Sequence, residues 1–345
     1  MRPLSSFLFF LIILASCSNK NEFRKFSTVE VEDVLVDSVS IRAIEFLDQN
    51  TLAFAGSNGM YGTVDVPSGR IRTNIMMFDS LTPSFRAAGH TATDFFMLSI
   101  GSPALLYKTG ESGKMELVYT EVGETVFYDA MMFWNDREGL AVGDTVDGCM
   151  SIIITRDGGQ TWNKIPCSQL PEGIDGEGAF AASNTNIEVI GEQAWIATTT
   201  GKIYHTMDKG KTWESTATPM KNDVDTQGIY SIDFDDENLG IAIGGDYTQP
   251  EVNRGNKMKT LDGGATWSLI ADGQNPGYKS CIQFVPNSDG MGIIAIGFTG
   301  ISYSPDGGDH WRQLGDEGFY TFRFLNDSTA YAAGKNRISK LTFKN

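Results

Sequence analysis

The chain has 345 residues, of which 43 are Asp or Glu and 27 Lys or Arg, a formal net charge of −16. That balance argues against nucleic acid as a partner and against direct adhesion to anionic lipid, because both demand a positive surface. With three His in all, a His-built metal site is not expected, and neither CxxC nor a haem-attachment CxxCH occurs.

Residues 1–16 read as a signal peptide. Arg2 supplies the positive end, and Phe7 to Leu14 is an unbroken apolar run too short to cross a membrane as a mature helix. Leu14-Ala15-Ser16-Cys17 follows, and it resembles a bacterial lipobox. Cys17 is therefore expected to be lipidated, with 17–26 as anchor and tether, which places the protein at the bacterial cell envelope on a membrane. Three cysteines remain in the mature chain, Cys149, Cys167 and Cys281, so at least one is unpaired within the monomer that is expected. Cys149 and Cys167 fall in one repeat and are a candidate pair in an oxidising compartment.

Ser27 to Asp37 (STVEVEDVLVD) is an extended segment with no neighbour of its own. From Leu52 onward an apolar strand ending in a small residue recurs seven times: 52–56, 96–101, 140–143, 195–198, 241–244, 293–297 and 330–334. A second signal, S/T-x-D-x-G-x-T-W, occurs at Asp157–Trp162, Asp208–Trp213, Asp262–Trp267 and Asp306–Trp311, with His310 replacing the second Thr in the last copy. Its aspartates lie 51, 54 and 44 residues apart. A period of about 50 residues is what one four-stranded propeller blade occupies. The Asp accepts local backbone hydrogen bonds, the Gly takes φ > 0, and the Trp opens the outgoing strand with a large apolar surface. Asp157, Asp208, Asp262 and Asp306 are thus read as turn-locking rather than catalytic.

The pattern resembles the Asp-box of sialidase-like propellers. The expected fold is all-β: a single seven-bladed β-propeller over 27–345, with Asp-box hairpins and the ring closed by the N-terminal strand. Further residues resemble a family of secreted bacterial propellers related to the photosystem II assembly factor Ycf48. They include Ser40-Ile41-Arg42-Ala43, Phe85-Arg86-Ala87, Phe127-Tyr128-Asp129-Ala130, Gly176 to Ser183 and Gly244-Gly245-Asp246-Tyr247. The likeness runs from about residue 38 to 343. It implies the seven-bladed fold and, from the assembly factor, partner binding through an arginine-rich face; the acidic balance of this chain departs from that pattern. Members outside photosynthetic organisms often carry the label oxidoreductase.

Chemistry is expected at the channel mouth opposite the boxes. Counting back 14 or 15 residues from each apolar landmark finds Arg42, Arg86, Tyr128 with Asp129, Ser183, Tyr230 and Tyr320. Loops after the second strand add Asp144, Asp147, Asp246 and Tyr247, and the Gly173–Gly178 loop adds Glu177. Arginine forks grip carboxylates or phosphates, and tyrosines stack on or hydrogen-bond to polar ligands. The expected function is a non-catalytic envelope binding module or assembly scaffold for a polar ligand, glycan or envelope protein, without metal or cofactor. The alternative is a sialidase-like glycoside hydrolase, for which the Arg-Ile-Pro motif is missing and a pair such as Asp129 and Glu177 would have to supply the two carboxylates. A redox enzyme is a third reading, and no Gly-rich strand-to-helix turn supports it.

Overall fold

The computed structural model describes residues 23–110 and 113–345. The expected leader and Cys17 lie outside the described residues. Apart from one 3-10 turn at Cys167–Gln169, the regular structure among them is β-strand, paired antiparallel throughout.

The apolar landmarks are second strands. Thr51–Gly56, Phe95–Ser99 and Ile293–Gly297 are buried along almost their whole length, since each sheet is covered on both faces by its neighbours. Outermost strands such as Arg70–Ile75 are mainly exposed. The small residue ending the landmark answers a close approach. A Cβ on Gly143 would collide with the Phe127 carbonyl, and one on Gly244 with that of Gly228.

The expected count of seven sheets is not what forms. The ring has six hydrogen-bonded sheets, five of four strands and one of six. The six-stranded sheet runs Thr321–Phe324, Thr329–Lys344, Thr28–Asp48, Thr51–Gly56, Met60–Asp65, Arg70–Ile75. Its two long strands are the cause. Thr28–Asp48 is 21 residues long; its first part pairs with the C-terminal strand, from Thr28 opposite Lys344 to Ser40 opposite Lys335, and its second part pairs with Thr51–Gly56. Strands of the first and last repeats are thereby merged into one sheet, and the two ends of the described chain meet there. This leaves no long open edge at the seam. Innermost strands touch in succession round the ring, from Thr28–Asp48 through Phe85–His90 to Thr321–Phe324 and back.

The four repeated turns share one geometry. In the first, Asp157 accepts the Thr155 hydroxyl at 2.9 Å, the Thr161 amide at 2.9 Å and the Thr161 hydroxyl at 2.6 Å, and Gly159 N–H donates to Thr155 Oγ1 at 2.8 Å. Gly159 sits at φ 78°. Asp208, Asp262 and Asp306 repeat the set, with His310 Nδ1 in place of the hydroxyl at 2.7 Å from Asp306. Trp162, Trp213 and Trp267 are buried against the neighbouring sheet; Trp162 packs edge-on against Phe96 and Phe133.

The central channel is not open. An innermost strand presents unpaired N–H and C=O groups to the axis, and these need partners. Here the chain supplies them itself: residues 180–186, just before the strand Ile187–Ile190, cross the axis as a plug. Asn184, at φ 60°, accepts the Met131 amide at 2.9 Å and the Ala88 amide at 3.3 Å, and donates to the Ala88 carbonyl at 2.8 Å and Glu45 at 3.2 Å. Thr185 O accepts the Ile232 amide at 2.8 Å, and Thr321 Oγ1 donates to Ser183 O at 2.8 Å.

Candidate functional site

The plug divides the axis into two ends of unlike character. On one end Arg323 pairs with Glu45 at 2.9 Å, so its charge is balanced internally. The other end is a cavity of about 460 Å³ lined by Arg42, Arg86, Phe180, Ala181, Ala182, Tyr230, Tyr247, Tyr278, Phe298 and Tyr320.

Two arginines face an aromatic wall there. Arg42 leaves the strand Thr28–Asp48 with its guanidinium carbon 3.8 Å from the centre of the Tyr320 ring, a cation–π contact. It donates once, to the Ala182 carbonyl of the plug at 3.2 Å, and its Nε is buried without an acceptor. Arg86 comes from Phe85–His90. Among the described residues, neither arginine has a carboxylate ion pair. Burial lowers the pKa of both, and for Arg86 the charge of Arg42 lowers it further. The wall is a run of ring contacts: Phe180 stacks on Tyr230 at 3.7 Å, Tyr230 meets Tyr278 edge-on at 4.8 Å, and Tyr278 packs on Phe298 at 5.3 Å. Tyr247 and Phe298 are about half exposed at the rim.

Asp129 forms no ion pair with either arginine. It is fully buried beside Asp144 and the Ala179 amide, with no well-formed hydrogen bond to either oxygen. Burial, then the charge of Asp144, push its pKa well above the carboxylate range, and burial raises Asp144 to about 6. The burial that raises Asp129 also disfavours its charged form, so it is a poor counter-ion for the guanidinium pair.

Of the residues expected at the mouth, Arg42, Arg86, Tyr230, Tyr247 and Tyr320 meet in this cavity. The others have internal duties. Tyr128 donates to Glu121 at 2.6 Å within a buried cluster. Glu177, fully buried, accepts Thr200 Oγ1 at 2.6 Å, Thr198 Oγ1 at 2.9 Å, the Ile174 amide at 3.0 Å and Tyr204 OH at 3.2 Å, with Lys202 at 3.5 Å. Asp246 locks its own turn through the Thr248 amide and hydroxyl and Thr226; against the desolvation of burial these bonds hold its pKa below the usual range. Asp147, at φ 55°, forms the two-residue hairpin with Gly148. Ser183 belongs to the plug.

Phe180, Tyr278 and Phe298 escaped the sequence reading. The 14-residue count fails in the sheet holding Tyr278. Eight residues separate Phe284 from Ile293, where five separate Phe324 from Ala330, so the count from Gly297 lands on Gln283 at the opposite end. Phe180 had no strand signal at all, because the plug is not a strand. Cys149 and Cys167 are joined by a disulfide, and Cys281 is a buried free thiol.

Comparison with known proteins agrees with this architecture. A family model described as Sortilin, neurotensin receptor 3 (Sortilin-Vps10) matches residues 149–291. No curated protein matches the chain. Among solved structures, one described as "YCF48 bound to D1 peptide" superposes with a TM-score of 0.65 at 12% identity, covering 94% of this chain and 99% of that one. YCF48 from Cyanidioschyzon merolae gives 0.63 at 14% identity, with 92% and 99% covered. The WD40 repeats of RRP9 give 0.66 at 9%, with 93% and 100% covered. The chain has a β-propeller fold. At these identities the likeness establishes the fold and nothing finer.

Proposed function

We propose that this protein is a non-catalytic binding module, held at the bacterial cell envelope through lipidated Cys17, whose Arg42–Arg86 mouth takes an anionic group of a polar ligand or of a partner protein. It acts as a monomer and without nucleic acid. The observation that carries the proposal is the pair of partly buried guanidiniums without a carboxylate, set in an aromatic-walled cavity. Such an arrangement is costly to keep empty-handed and is relieved by an anion. Aromatic walls with few placed polar groups are the usual make-up of a binding pocket. A YCF48 structure whose description includes a bound peptide supports a protein segment as one occupant of this kind of fold.

The glycosidase reading is weaker. Glu177 has its oxygens saturated by internal donors, and Asp129 is sealed beside Asp144, so neither lines the cavity as an acid or nucleophile must.

The test is a thermal-shift panel of acidic sugars, phosphorylated ligands and acidic peptides, followed by crosslinking in native envelopes. A one-site ligand at 100 times its Kd adds about 2.7 kcal/mol. Arg42→Ala and Arg86→Ala are each expected to abolish the shift or the crosslink. Binding that survives both substitutions would sink the proposal, as would turnover of any sugar.

A further inference from the structure

The cavity at the channel mouth is built from two arginines, two alanines and six aromatic residues, Phe180, Tyr230, Tyr247, Tyr278, Phe298 and Tyr320. Among the described residues its lining holds no carboxylate, no side-chain amide and no aliphatic hydroxyl. A buried sugar needs such groups, because each of its hydroxyls must exchange water for a donor or an acceptor. What polar surface there is beside the arginines is already engaged in part. Tyr230 donates its hydroxyl proton to the Thr226 carbonyl at 2.9 Å, and the Ala182 carbonyl accepts from Arg42 at 3.2 Å.

The rest of the surface is aromatic. Phe180 lies parallel to Tyr230, with planes 5° apart, and Tyr278 touches Tyr230, Tyr247 and Phe298. At the rim Tyr247 and Phe298 are 48% and 45% exposed. Rings left in water beside a cavity gain by being covered with apolar surface. The donors for an anion are the two guanidiniums: Arg42 makes one side-chain hydrogen bond, and Arg86 makes none among the described residues. The volume of about 460 Å³ lies within the range of small-molecule pockets, about 300–1,000 Å³. We propose that the ligand of the mouth is an aromatic acid, a small molecule with a flat ring system that bears one carboxylate or phosphate group. This identity rests on the anion-binding reading of Arg42 and Arg86 and supplies the body that goes with the anion. The charged group lies with the two guanidiniums, and the ring extends the run of ring contacts against Tyr247 and Phe298.

Calorimetric titration of the full-length protein at pH 7 tests this, with 2-naphthoate set against glucuronate and 2-naphthyl phosphate against glycerol 2-phosphate. The two aromatic arms distinguish a carboxylate from a phosphate ligand. At least one aromatic anion is expected to bind at least about tenfold tighter than its non-aromatic counterpart, in keeping with new ring contacts. Phe298→Ala and Tyr247→Ala, both at half-exposed positions, should each weaken it about two- to tenfold. Arg42→Ala and Arg86→Ala should each weaken it at least about tenfold. Asp208→Ala, in a repeated turn, should leave it unchanged. If an arginine variant does not fold, the rim variants and the ratio of aromatic to non-aromatic affinity decide. Glucuronate or glycerol 2-phosphate bound as tightly as the aromatic anions, with the same dependence on the arginines, overturns the aromatic assignment and leaves the anion site standing. Aromatic binding indifferent to both Phe298→Ala and Tyr247→Ala overturns it too. Binding that survives both arginine substitutions, or no binding of any of the four anions, overturns the anion site and the aromatic assignment together.

Discussion

Asn184 is the residue on which the plug turns, and replacing it gives a quantitative test of the architecture. Its side chain makes four hydrogen bonds to two other innermost strands and to Glu45, at sequence separations of 96, 53, 96 and 139. Asn184→Ala leaves the Met131 amide and the Ala88 amide and carbonyl buried without partners. At about 1–3 kcal/mol for each orphaned group, partly relieved by relaxation, the loss is on the order of 3–5 kcal/mol. A further ~1 kcal/mol comes from holding Ala at φ 60°. Asn184→Gly removes the same hydrogen bonds but not the left-handed freedom, so it should be less harmful than Ala by about 1 kcal/mol. Urea denaturation of the three proteins measures both differences. A loss below about 1 kcal/mol in Asn184→Ala would show that the plug is not held by these bonds. Equal losses in Ala and Gly would remove the backbone part of the argument.

The remaining expectations concern acid–base behaviour, the repeated turns and the disulfide. Asp144 has a folded-state pKa raised to about 6 by burial, so the folded protein binds more protons than the unfolded chain between about pH 4 and 6 and stability falls as pH rises through that window. Asp144→Asn should therefore stabilise the protein at pH 8, by on the order of 2–3 kcal/mol at most, and have no such effect at pH 4; melting curves at the two pH values check the sign. Asp208→Ala strips the acceptor from the Lys211 and Thr212 amides and the Thr206 and Thr212 hydroxyls and should cost about 1–3 kcal/mol, without altering anion binding at the mouth. A ligand-binding defect in that variant would reopen a functional role for the box aspartates. Cys149→Ser releases a cross-link between residues 18 apart, expected to lower stability by about 3 kcal/mol, and a reducing agent should reproduce the shift in the wild type but not in the variant.

What the sequence determined by itself is what local chemistry controls. Each repeated turn is closed by bonds spanning two to four residues, from Thr155 to Thr161 in the first copy, so spacing alone specifies it. The apolar second strands were legible because burial on both faces demands an unbroken run. Arg42, Arg86, Tyr230 and Tyr320 were legible because a repeat with constant hairpin length carries equivalent positions to equivalent places. Where a hairpin lengthened by three residues, before Ile293, the same reasoning missed Tyr278. Tertiary structure alone decided the rest. The number of sheets depends on how far two distant chain ends pair, from Thr28 against Lys344 onward, and no local pattern encodes that extent. The plug, Phe180 to Asn186, has no periodicity in its sequence, and its bonds reach strands on every side of the axis. The same long-range geometry sorted the acidic residues. Asp246 and Glu177 looked like candidate ligand groups in sequence and became satisfied internal acceptors, whereas neither arginine gained a carboxylate ion pair, because Asp129 is sealed by burial beside Asp144.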